Sequence, residues 1–540
     1  MPRPVPLRGV IEGFYGPPWS HEARVAVLEF LAERGMNAYL YAPKSDPKHR
    51  DRWRDAYDAH ELARFAELAE HTNRLGVRFG FALSPGLDID YRDEPDRGAL
   101  IEKLAPLLDV GVEWIVLALD DIPNRPGLAG EQADLTGWLL DALRARRPAT
   151  HMTLVPTEYV GTRPTSYLRS LAAGLPSDVD VMWTGPTVCS PVIRADDARA
   201  WTAALGGRRP VLWDNYPAND GTMERSLHLG AYRGREPELT DELGGVLCNP
   251  MLQAHASQVA LATAADFLCA PERYDPEASW DAALNAVGGS RAPALRALAG
   301  VCADGPLLAP EHLEAHALVT ALDDAADGPD WPDAVTALRN HLTAVRKAQR
   351  AWADAPADPL GVEIEPWLTR AAVEAEAGLA SLRLIQHVRP VARQDDDGHG
   401  KVAAPNAETA MLHAFAVLFA WSAARRGEHV VFGPRFAVYP AVVQLDRDDA
   451  APGLDMDLAL VEDRSAIDRL CRLALNRYQE WTQRKPAPLK VTVDGSPLQL
   501  APDATFHAPG GRMVLVRDAT GVTALRAPAQ GPPFPDSRLD

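Results

Sequence analysis

The 540-residue sequence contains little cysteine, little positive charge relative to negative charge, and few long apolar runs. Its five cysteines are scattered and form no CxxC pair, which argues against a disulfide framework and against a zinc site. The net charge of −19 predicts a surface that repels nucleic acid and anionic membranes. We find no run with the length of a secretion signal or a membrane span. These features predict a cytoplasmic protein with no nucleic-acid or membrane partner, and the abundance of Ala, Arg and Pro is typical of a GC-rich bacterial genome.

The first half of the chain alternates between short apolar runs and amphipathic helical stretches. The runs are rich in β-branched and aromatic residues, as expected for strands buried in a parallel sheet. Eight such strands in roughly 250 residues predict a (β/α)₈ TIM barrel. An open doubly wound sheet is less favoured, because GFYGPPW after the first run is no glycine-rich phosphate turn. The runs occupy 9–16, 38–44, 78–86, 114–121, 151–159, 178–186, 210–217 and 245–250.

Polar residues stand at the end of most of these runs, where the active site of such a barrel is built. Asp120 and Asp121 form an adjacent carboxylate pair before Pro123. Two carboxylates this close do not easily both ionise, so one is expected to keep its proton and act as an acid. Because strand side chains alternate between faces, the pair converges only if the strand ends there. A helix-capping or solvated pair is the structural alternative, and a metal set is poor without further ligands.

Eight motifs in order carry a family resemblance across about residues 8–270. The motifs are EGFYGPPW (12–19), YLYAPKSDPKHR (39–50), SPGLD (84–88), DD (120–121), PTEYVGT (156–162), WTGP (183–186), WDNYPAND (213–220) and GVLCNP (245–250). Together they resemble glycoside hydrolase family 84, which comprises the O-GlcNAcases and bacterial β-N-acetylglucosaminidases, some historically called hyaluronidases.

This resemblance implies a retaining exo-β-N-acetylglucosaminidase in which the 2-acetamido oxygen of the sugar attacks C1 and forms an oxazoline. Asp120 would accept the acetamide N–H and orient it. Asp121 would protonate the glycosidic oxygen and then deprotonate water. No enzyme nucleophile, cofactor or metal is implied.

The resemblance also assigns the groups that bind the sugar. Asn215 would support the acetamide and the oxazoline, Tyr159 would donate its hydroxyl nearby, and Trp213 would form the wall for the acetyl methyl group. The sugar hydroxyls would be bound by Asp220 at O4 and O6, Lys44 at O3, Asn249 at a neighbouring hydroxyl, and the Gly13 carbonyl.

Four further positions carry weaker expectations. Tyr15 is expected mainly to pack in the barrel mouth, and His49 to be a structural hydrogen-bonding partner. Gly221 stands where family members can carry a bulkier residue, and Val155 is expected to alter the size of the acetyl pocket.

The second half of the chain predicts two further domains after a barrel at 1–280. A helical domain at 281–427 resembles one that pairs two chains in some family members, which makes a homodimer possible. A small mixed α/β module at 428–530 is expected to cap or pack, with binding of a glycan or a partner protein as the alternative. The last residues, 531–540, are expected to be disordered.

Three rival functions remain open from the sequence. The chain could be a catalytically silent glycan-binding barrel, an endo-acting hyaluronidase-type hydrolase, or a divalent-metal hydrolase. The expected partner is a GlcNAc-containing glycoside or glycoprotein, whose aglycone the sequence does not identify.

Overall fold

The fold is that of a computed structural model of the chain. Most of the first 300 residues and the main helices of the second half are described. The described residues are 4–302, 314–325, 328–353, 358–389, 391–394, 400–403, 406–424, 429–433, 436–438, 458–460, 465–483, 490–493, 496–499, 513–518 and 521–526. The predicted disordered tail at 531–540 lies outside them.

Eight parallel strands close into a barrel in sequence order, which confirms the predicted (β/α)₈ fold. Each strand ends at or before the polar residues of its run, so these residues belong to the mouth of the barrel and not to its wall. The strands are β1 (Leu7–Glu12), β2 (Ala38–Tyr41), β3 (Arg78–Leu83), β4 (Trp114–Ala118), β5 (His151–Val155), β6 (Asp180–Trp183), β7 (Val211–Asp214) and β8 (Gly245–Cys248).

Helices follow seven of the eight strands and pack on the outside of the barrel. The first begins at the predicted cap, where the Ser20 side chain accepts from the N–H of Ala23, and it ends before Gly35 at a φ of +78°. The helices are α1 (His21–Glu33), α2 (Ala59–Arg74), α3 (Glu94–Asp109), α4 (Leu128–Arg146), α5 (Ser166–Gly174), α6 (Ala195–Ala204) and α7 (Ala254–Cys269).

The connection after β7 is the exception among the eight. All residues of this connection are described and none is in an α-helix; they form 3₁₀ turns at Gly221–Met223 and Pro237–Glu242 and an isolated parallel bridge from Arg235 to Ile193. This is the stretch where the helical pattern of the sequence is weakest. A long irregular connection is therefore left at the barrel mouth, directly after β7.

The barrel interior is a packed apolar cluster and not a pore. Five of its side chains are completely buried: Ile11, Leu40, Val116, Met182 and Leu247. A larger cluster fills the space between the strands and the surrounding helices. The strands are thus buried on both faces, which explains their continuous apolar runs.

The second half is largely helical, as predicted. Its helices are α8 (Pro276–Gly288), α9 (Ala292–Cys302), α10 (Glu314–Asp324), α11 (Trp331–Ala353), α12 (Pro359–Val388), α13 (Ala407–Ala424) and α14 (Ala466–Gln483). Short strands complete it: β9 (Val391–Gln394), β10 (Gly400–Ala403), β11 (Phe436–Val438), β12 (Leu458–Leu460), β13 (Lys490–Val493), β14 (Ser496–Gln499), β15 (Met513–Asp518) and β16 (Gly521–Arg526).

The chain divides into two compact units. The first comprises Met1–Ala317, Lys347–Ala371 and Glu428–Ser465, and the second comprises Leu318–Arg346, Ala372–Gly427 and Ala466–Asp540. In the second unit β13 to β16 form one four-stranded sheet. The domain boundaries at 280 and 427 stay predictions. The first unit includes the start of α12, which lies well beyond the barrel in sequence.

The sequence expectation that no run has the length of a membrane span needs correction, because among the described residues α13 is long and apolar enough to cross a membrane by length and composition alone. Core helices of soluble proteins meet the same criterion. Here the Trp421 indole of α13 donates to Asp468 of α14, so one face of the helix packs within its own unit.

Candidate active site

The two adjacent carboxylates converge on one side of the barrel mouth because β4 stops before them. The strand ends at Ala118, and Asp121 has a φ of +55°, a left-handed conformation that non-glycine residues rarely adopt. The Lys44 ammonium reaches both carboxylates, at 2.5 Å from Asp120 Oδ2 and 3.9 Å from Asp121 Oδ2. The structure thus brings the predicted pair together around a shared cation.

Asp120 is the more enclosed of the two. Its side chain is 7% exposed, against 26% for Asp121. Oδ2 accepts from Lys44, whereas Oδ1 is buried and has no hydrogen-bond partner among the described residues. A buried carboxylate oxygen without a partner is costly, so this atom is available to a donor on a ligand.

Asp121 accepts hydrogen bonds from two phenols at the mouth. The Tyr15 hydroxyl donates to Oδ2 at 2.7 Å, and the Tyr159 hydroxyl donates to Oδ1 at 2.8 Å. Burial raises the pKa of Asp121, but the Lys44 ammonium and these two hydrogen bonds outweigh burial and hold that pKa below its ordinary value. In the free protein Asp121 is therefore a carboxylate at neutral pH, although two close carboxylates alone would favour a retained proton.

A cluster of amides forms the opposite wall. Asn215 Oδ1 accepts from the Trp213 indole N–H at 2.9 Å and from Asn249 Nδ2 at 3.0 Å. Asn249 Oδ1 in turn accepts from the backbone N–H of Gly13 at 3.1 Å. These bonds fix the indole edge and both amides, and each amide nitrogen keeps a second N–H for a ligand.

Gly13 is required where it stands by the closeness of the Trp213 ring. A Cβ at this position would lie 2.4 Å from Trp213 Cζ2. The Lys44 ammonium lies over the same ring, 5.6 Å from its centroid. The indole is therefore close to both the loop after β1 and the cation of the acidic pair.

Asp220 closes the remaining side of the site. Its Oδ2 accepts the backbone N–H of Tyr15 at 2.6 Å, and burial raises its pKa. All the site residues predicted from the sequence are therefore linked through contacts at one barrel mouth. They are Gly13, Lys44, Asp120, Asp121, Tyr159, Trp213, Asn215, Asp220 and Asn249.

A family model described as beta-N-acetylglucosaminidase matches residues 8–300, more than half of the chain. The chain belongs to this β-N-acetylglucosaminidase family. The match covers the whole barrel and all the site residues, and it confirms the resemblance seen in the motifs.

The similar proteins and structures include O-GlcNAcases and O-GlcNAc hydrolases. The Protein O-GlcNAcases of Rattus norvegicus and Mus musculus are each 36% identical over 274 residues, covering 48% of this chain and 29% of each relative. The chain thus matches less than a third of the length of these relatives. An O-GlcNAc hydrolase structure from Thermobaculum terrenum has a TM-score of 0.72 and 27% identity, covering 88% of this chain and 95% of that chain.

Tyr15 does more in this family member than the predicted packing in the barrel mouth. Its side chain is 44% exposed, its hydroxyl bonds Asp121 and its backbone bonds Asp220. Arg50 is a second group that the sequence reasoning missed. It is 7% exposed and its positive charge favours the carboxylate form of Asp121. Both residues lie within the family motifs, which is the signal that could have found them.

His49 does not have the structural hydrogen bonds predicted for its side chain. The ring is completely buried, and neither nitrogen has a partner among the described residues. Burial and the nearby charges of Lys44 and Arg50 lower the pKa of His49 well below its ordinary value. The imidazole is therefore neutral and is no source of protons at working pH.

Two strand-end carboxylates are structural in this family member. Glu12 pairs with Arg24, with Nε 2.7 Å from Oε2, and Asp214 pairs with Arg235, with Nη2 2.5 Å from Oδ1. Both carboxylates are at least 99% buried and saturated by these cations. They brace the ends of β1 and β7.

Among the residues that the structure describes, no group of three or more His, Cys, Asp and Glu side chains could hold a metal ion.

The two departures from the family pattern, Val155 and Gly221, lie next to predicted site residues. Val155 is 1% exposed in the interior cluster that contains Tyr159 and Trp213. Gly221 has a φ of +59°, with open space where a Cβ would be.

Proposed function

We propose that the protein is a retaining exo-β-N-acetylglucosaminidase that uses the acetamido group of its substrate as the nucleophile. The proposal rests on the difference between the surroundings of the two carboxylates in the acidic pair. Asp120 offers a buried, unpartnered Oδ1 inside the pocket, while Asp121 stands at the mouth between two phenols. One carboxylate is thus placed to orient a group inside the pocket and the other to exchange a proton with a group outside it.

In the first step the acetamide N–H donates to Asp120 Oδ1, and the acetamide oxygen attacks C1. The bond from C1 to the glycosidic oxygen breaks, and Asp121 gives its proton to the departing oxygen. In the second step Asp121 takes a proton from water as that water attacks C1, and the oxazoline opens with net retention. Because the nucleophile belongs to the bound sugar, the attack is intramolecular and is favoured by orientation, by ~7–11 kcal/mol at best.

Asp121 must gain a proton before it can act as an acid. Substrate binding favours this protonation because it changes the surroundings of the carboxylate. Lys44 and Tyr159, which favour the carboxylate in the free protein, are the groups assigned to O3 and to the acetamide. When they turn to the sugar, Asp121 loses part of its stabilisation, and the sugar also excludes water from it. Both changes raise the pKa of Asp121 in the complex.

The remaining polar groups fit the hydroxyls of a terminal sugar. Asp220 would accept from O4 and O6, which favours exo action because a free O4 marks the end of a chain. Asn249 and the Gly13 carbonyl would bind neighbouring hydroxyls. Trp213, held by Asn215, would form the apolar wall for the acetyl methyl, with Val155 beneath it.

The direct test is the hydrolysis of aryl β-GlcNAc glycosides by Asp121→Ala. Turnover of a poor leaving group should fall by about 10²–10⁴-fold, and a leaving group that needs no protonation should recover most of it. Glu158→Gln is the matched control. This carboxylate follows β5, and it accepts from Asn124 outside the acidic pair. Equal loss with every leaving group would contradict the role of Asp121.

The same preparation separates the rival functions. Tight binding of GlcNAc without turnover would indicate a silent glycan-binding barrel. Release of internal fragments from hyaluronan would indicate an endo-acting enzyme, although an acidic surface is poorly suited to a polyanion. Loss of activity with a chelator would indicate a metal hydrolase.

We further propose a cytoplasmic location in a bacterial cell, with a GlcNAc-bearing glycoside or glycoprotein as partner and neither nucleic acid nor membrane. The five cysteines all lie among the described residues and form no disulfide, and reduced thiols fit a reducing compartment. The second unit is the proposed dimer surface, since Phe419 on α13 is 64% exposed. Sedimentation of Phe419→Glu tests this proposal, because a dimer through this face should become a monomer.

A further inference from the structure

Helix α7, which follows β8 and Asn249, has no cap of its own. Its first residue is preceded by Gln253, whose side chain makes no capping hydrogen bond. The Glu363 carboxylate on α12 acts as the cap instead. It accepts hydrogen bonds from the backbone N–H groups of His255 at 2.8 Å and Ala256 at 3.0 Å. It also lies 2.9 Å from Nδ1 of His255. A residue beyond the barrel thus accepts hydrogen bonds from backbone N–H groups in the first turn of the last barrel helix.

One turn further along α12, Trp367 holds the long connection after β7. Glu363 and Trp367 are four residues apart and so lie on the same helix face. The Trp367 indole N–H donates to the Arg225 carbonyl at 2.9 Å, and the side chain is 2% exposed. The backbone N–H of Val430 donates to the same carbonyl at 2.8 Å. Two donors from later parts of the chain therefore meet on one carbonyl.

The carbonyl that they hold belongs to a small closed loop with Asp220 near its start. The Asn219 side chain spans this loop, because its Nδ2 donates to the Ser226 carbonyl at 2.8 Å. The Asn219 Oδ1 accepts the N–H of Leu252, just before α7, at 3.0 Å. The loop is thus closed at its base by Asn219 and held at its far side by Trp367. Asp220 therefore lies in a loop whose backbone is fixed at both places.

We propose that Glu363 and Trp367 are positioning residues that fix Asp220 for recognition of the sugar's O4 and O6. The proposal rests on the function proposed above and extends it beyond the barrel, since the family match ends at residue 300. Among the described residues, Glu363 and Trp367 make no hydrogen bond to the acidic pair or to its phenols. Loss of either anchor therefore weakens hydroxyl recognition and leaves the chemical step unchanged.

The test compares an aryl β-GlcNAc glycoside with its 6-deoxy analogue. The wild type should prefer the first by about tenfold or more in kcat/KM, because the analogue lacks a donor to a charged acceptor. Trp367→Phe keeps the ring and removes the N–H, and Glu363→Ala removes the cap. Each should lower this preference by about threefold through KM, with kcat on the 6-deoxy substrate within about twofold of wild type.

Two controls match these variants. Trp201→Phe removes a buried indole N–H that has no hydrogen-bond partner among the described residues. Glu365→Gln alters a carboxylate on α12 that bonds only Thr369 among the contacts of the described chain. Both should keep the wild-type preference. The preference is a ratio measured on one preparation, so partial unfolding lowers both rates and leaves the ratio unchanged.

Asp220→Ala separates failure of this inference from failure of the proposed function. If Asp220→Ala abolishes the preference and the anchor variants keep it, the positioning role is wrong. Anchor variants that slow both substrates equally also contradict that role. If Asp220→Ala keeps the preference, Asp220 does not bind O6, and the proposed binding site itself is wrong.

Discussion

Replacing Tyr15 with phenylalanine tests how Asp121, the proposed acid, is held before the substrate binds. The Tyr15 hydroxyl donates to Asp121 Oδ2 at 2.7 Å and stabilises only the ionised form. In Tyr15→Phe the carboxylate keeps the hydrogen bond from Tyr159 and the charge of Lys44. Its pKa should therefore rise from its depressed value towards the ordinary one.

The size of the shift follows from the hydrogen bond that is lost. Hydrogen bonds to charged groups contribute ~1.5–3 kcal/mol when they are well buried. Tyr15 is 44% exposed, so solvent screens the interaction and roughly half of that range is expected. Since one pKa unit corresponds to ~1.4 kcal/mol, the pKa of Asp121 should rise by about half a unit to one unit.

The assay is the pH dependence of kcat/KM for an aryl β-GlcNAc glycoside, whose alkaline limb reports the acid in the free enzyme. That limb should move to higher pH in Tyr15→Phe. Tyr57→Phe is the control, because its hydroxyl donates to Asp46 at 2.7 Å outside the acidic pair. An unmoved limb, a shift to lower pH, or an equal shift in Tyr57→Phe would refute the reasoning.

Three further variants test the site and its support. Lys44→Met leaves the buried Asp120 carboxylate without its cation, which should cost ~3–5 kcal/mol; an unchanged Tm would contradict the pairing. Gly13→Ala places a Cβ 2.4 Å from the Trp213 ring and should lower both Tm and kcat/KM, whereas wild-type kinetics would show that the ring is free to move. Glu363 raises the pKa of His255, so this pair stabilises the fold below pH ~6.5 and the contribution fades as pH rises through the raised pKa. The Tm deficit of His255→Gln should accordingly be larger at low pH than at high pH, by about 2 °C, and equal deficits would argue against the ion pair.

The barrel could be predicted from the sequence because its signals are local. A strand buried on both faces shows itself as a continuous apolar run, and helix caps such as Ser20 lie within three residues of their partners. The order of the strands then fixes which residues meet at the mouth. The site residues needed only this topology and the family motifs to be gathered in one place.

The electrostatic state of the site could not be predicted in the same way. Asp121 has a left-handed backbone conformation that its local sequence does not indicate. Its hydrogen bond with Tyr15 joins residues that are 106 positions apart. Glu12 and Asp214 end strands as Asp120 nearly does, yet cations on other elements neutralise them. Only the packed structure shows which carboxylates are saturated and which one keeps a free oxygen.

The anchors on α12 were also beyond the reach of sequence patterns. Glu363 caps a helix that begins 109 residues earlier at Ala254, and Trp367 meets a carbonyl 142 residues away. Glu363 is one of several carboxylates on α12, and Trp367 follows the general apolar pattern of that helix, so neither stands out from its neighbours in the sequence. Long-range hydrogen bonds of this kind leave no trace in local spacing.

The central claim is that the substrate's acetamide oxygen, and no side chain, attacks C1. Substrates whose N-acetyl group carries one, two or three fluorines test it most directly, because fluorine withdraws electrons and weakens that oxygen as a nucleophile. The account predicts that kcat/KM falls stepwise with each fluorine. Rates that stay level across the series would contradict it.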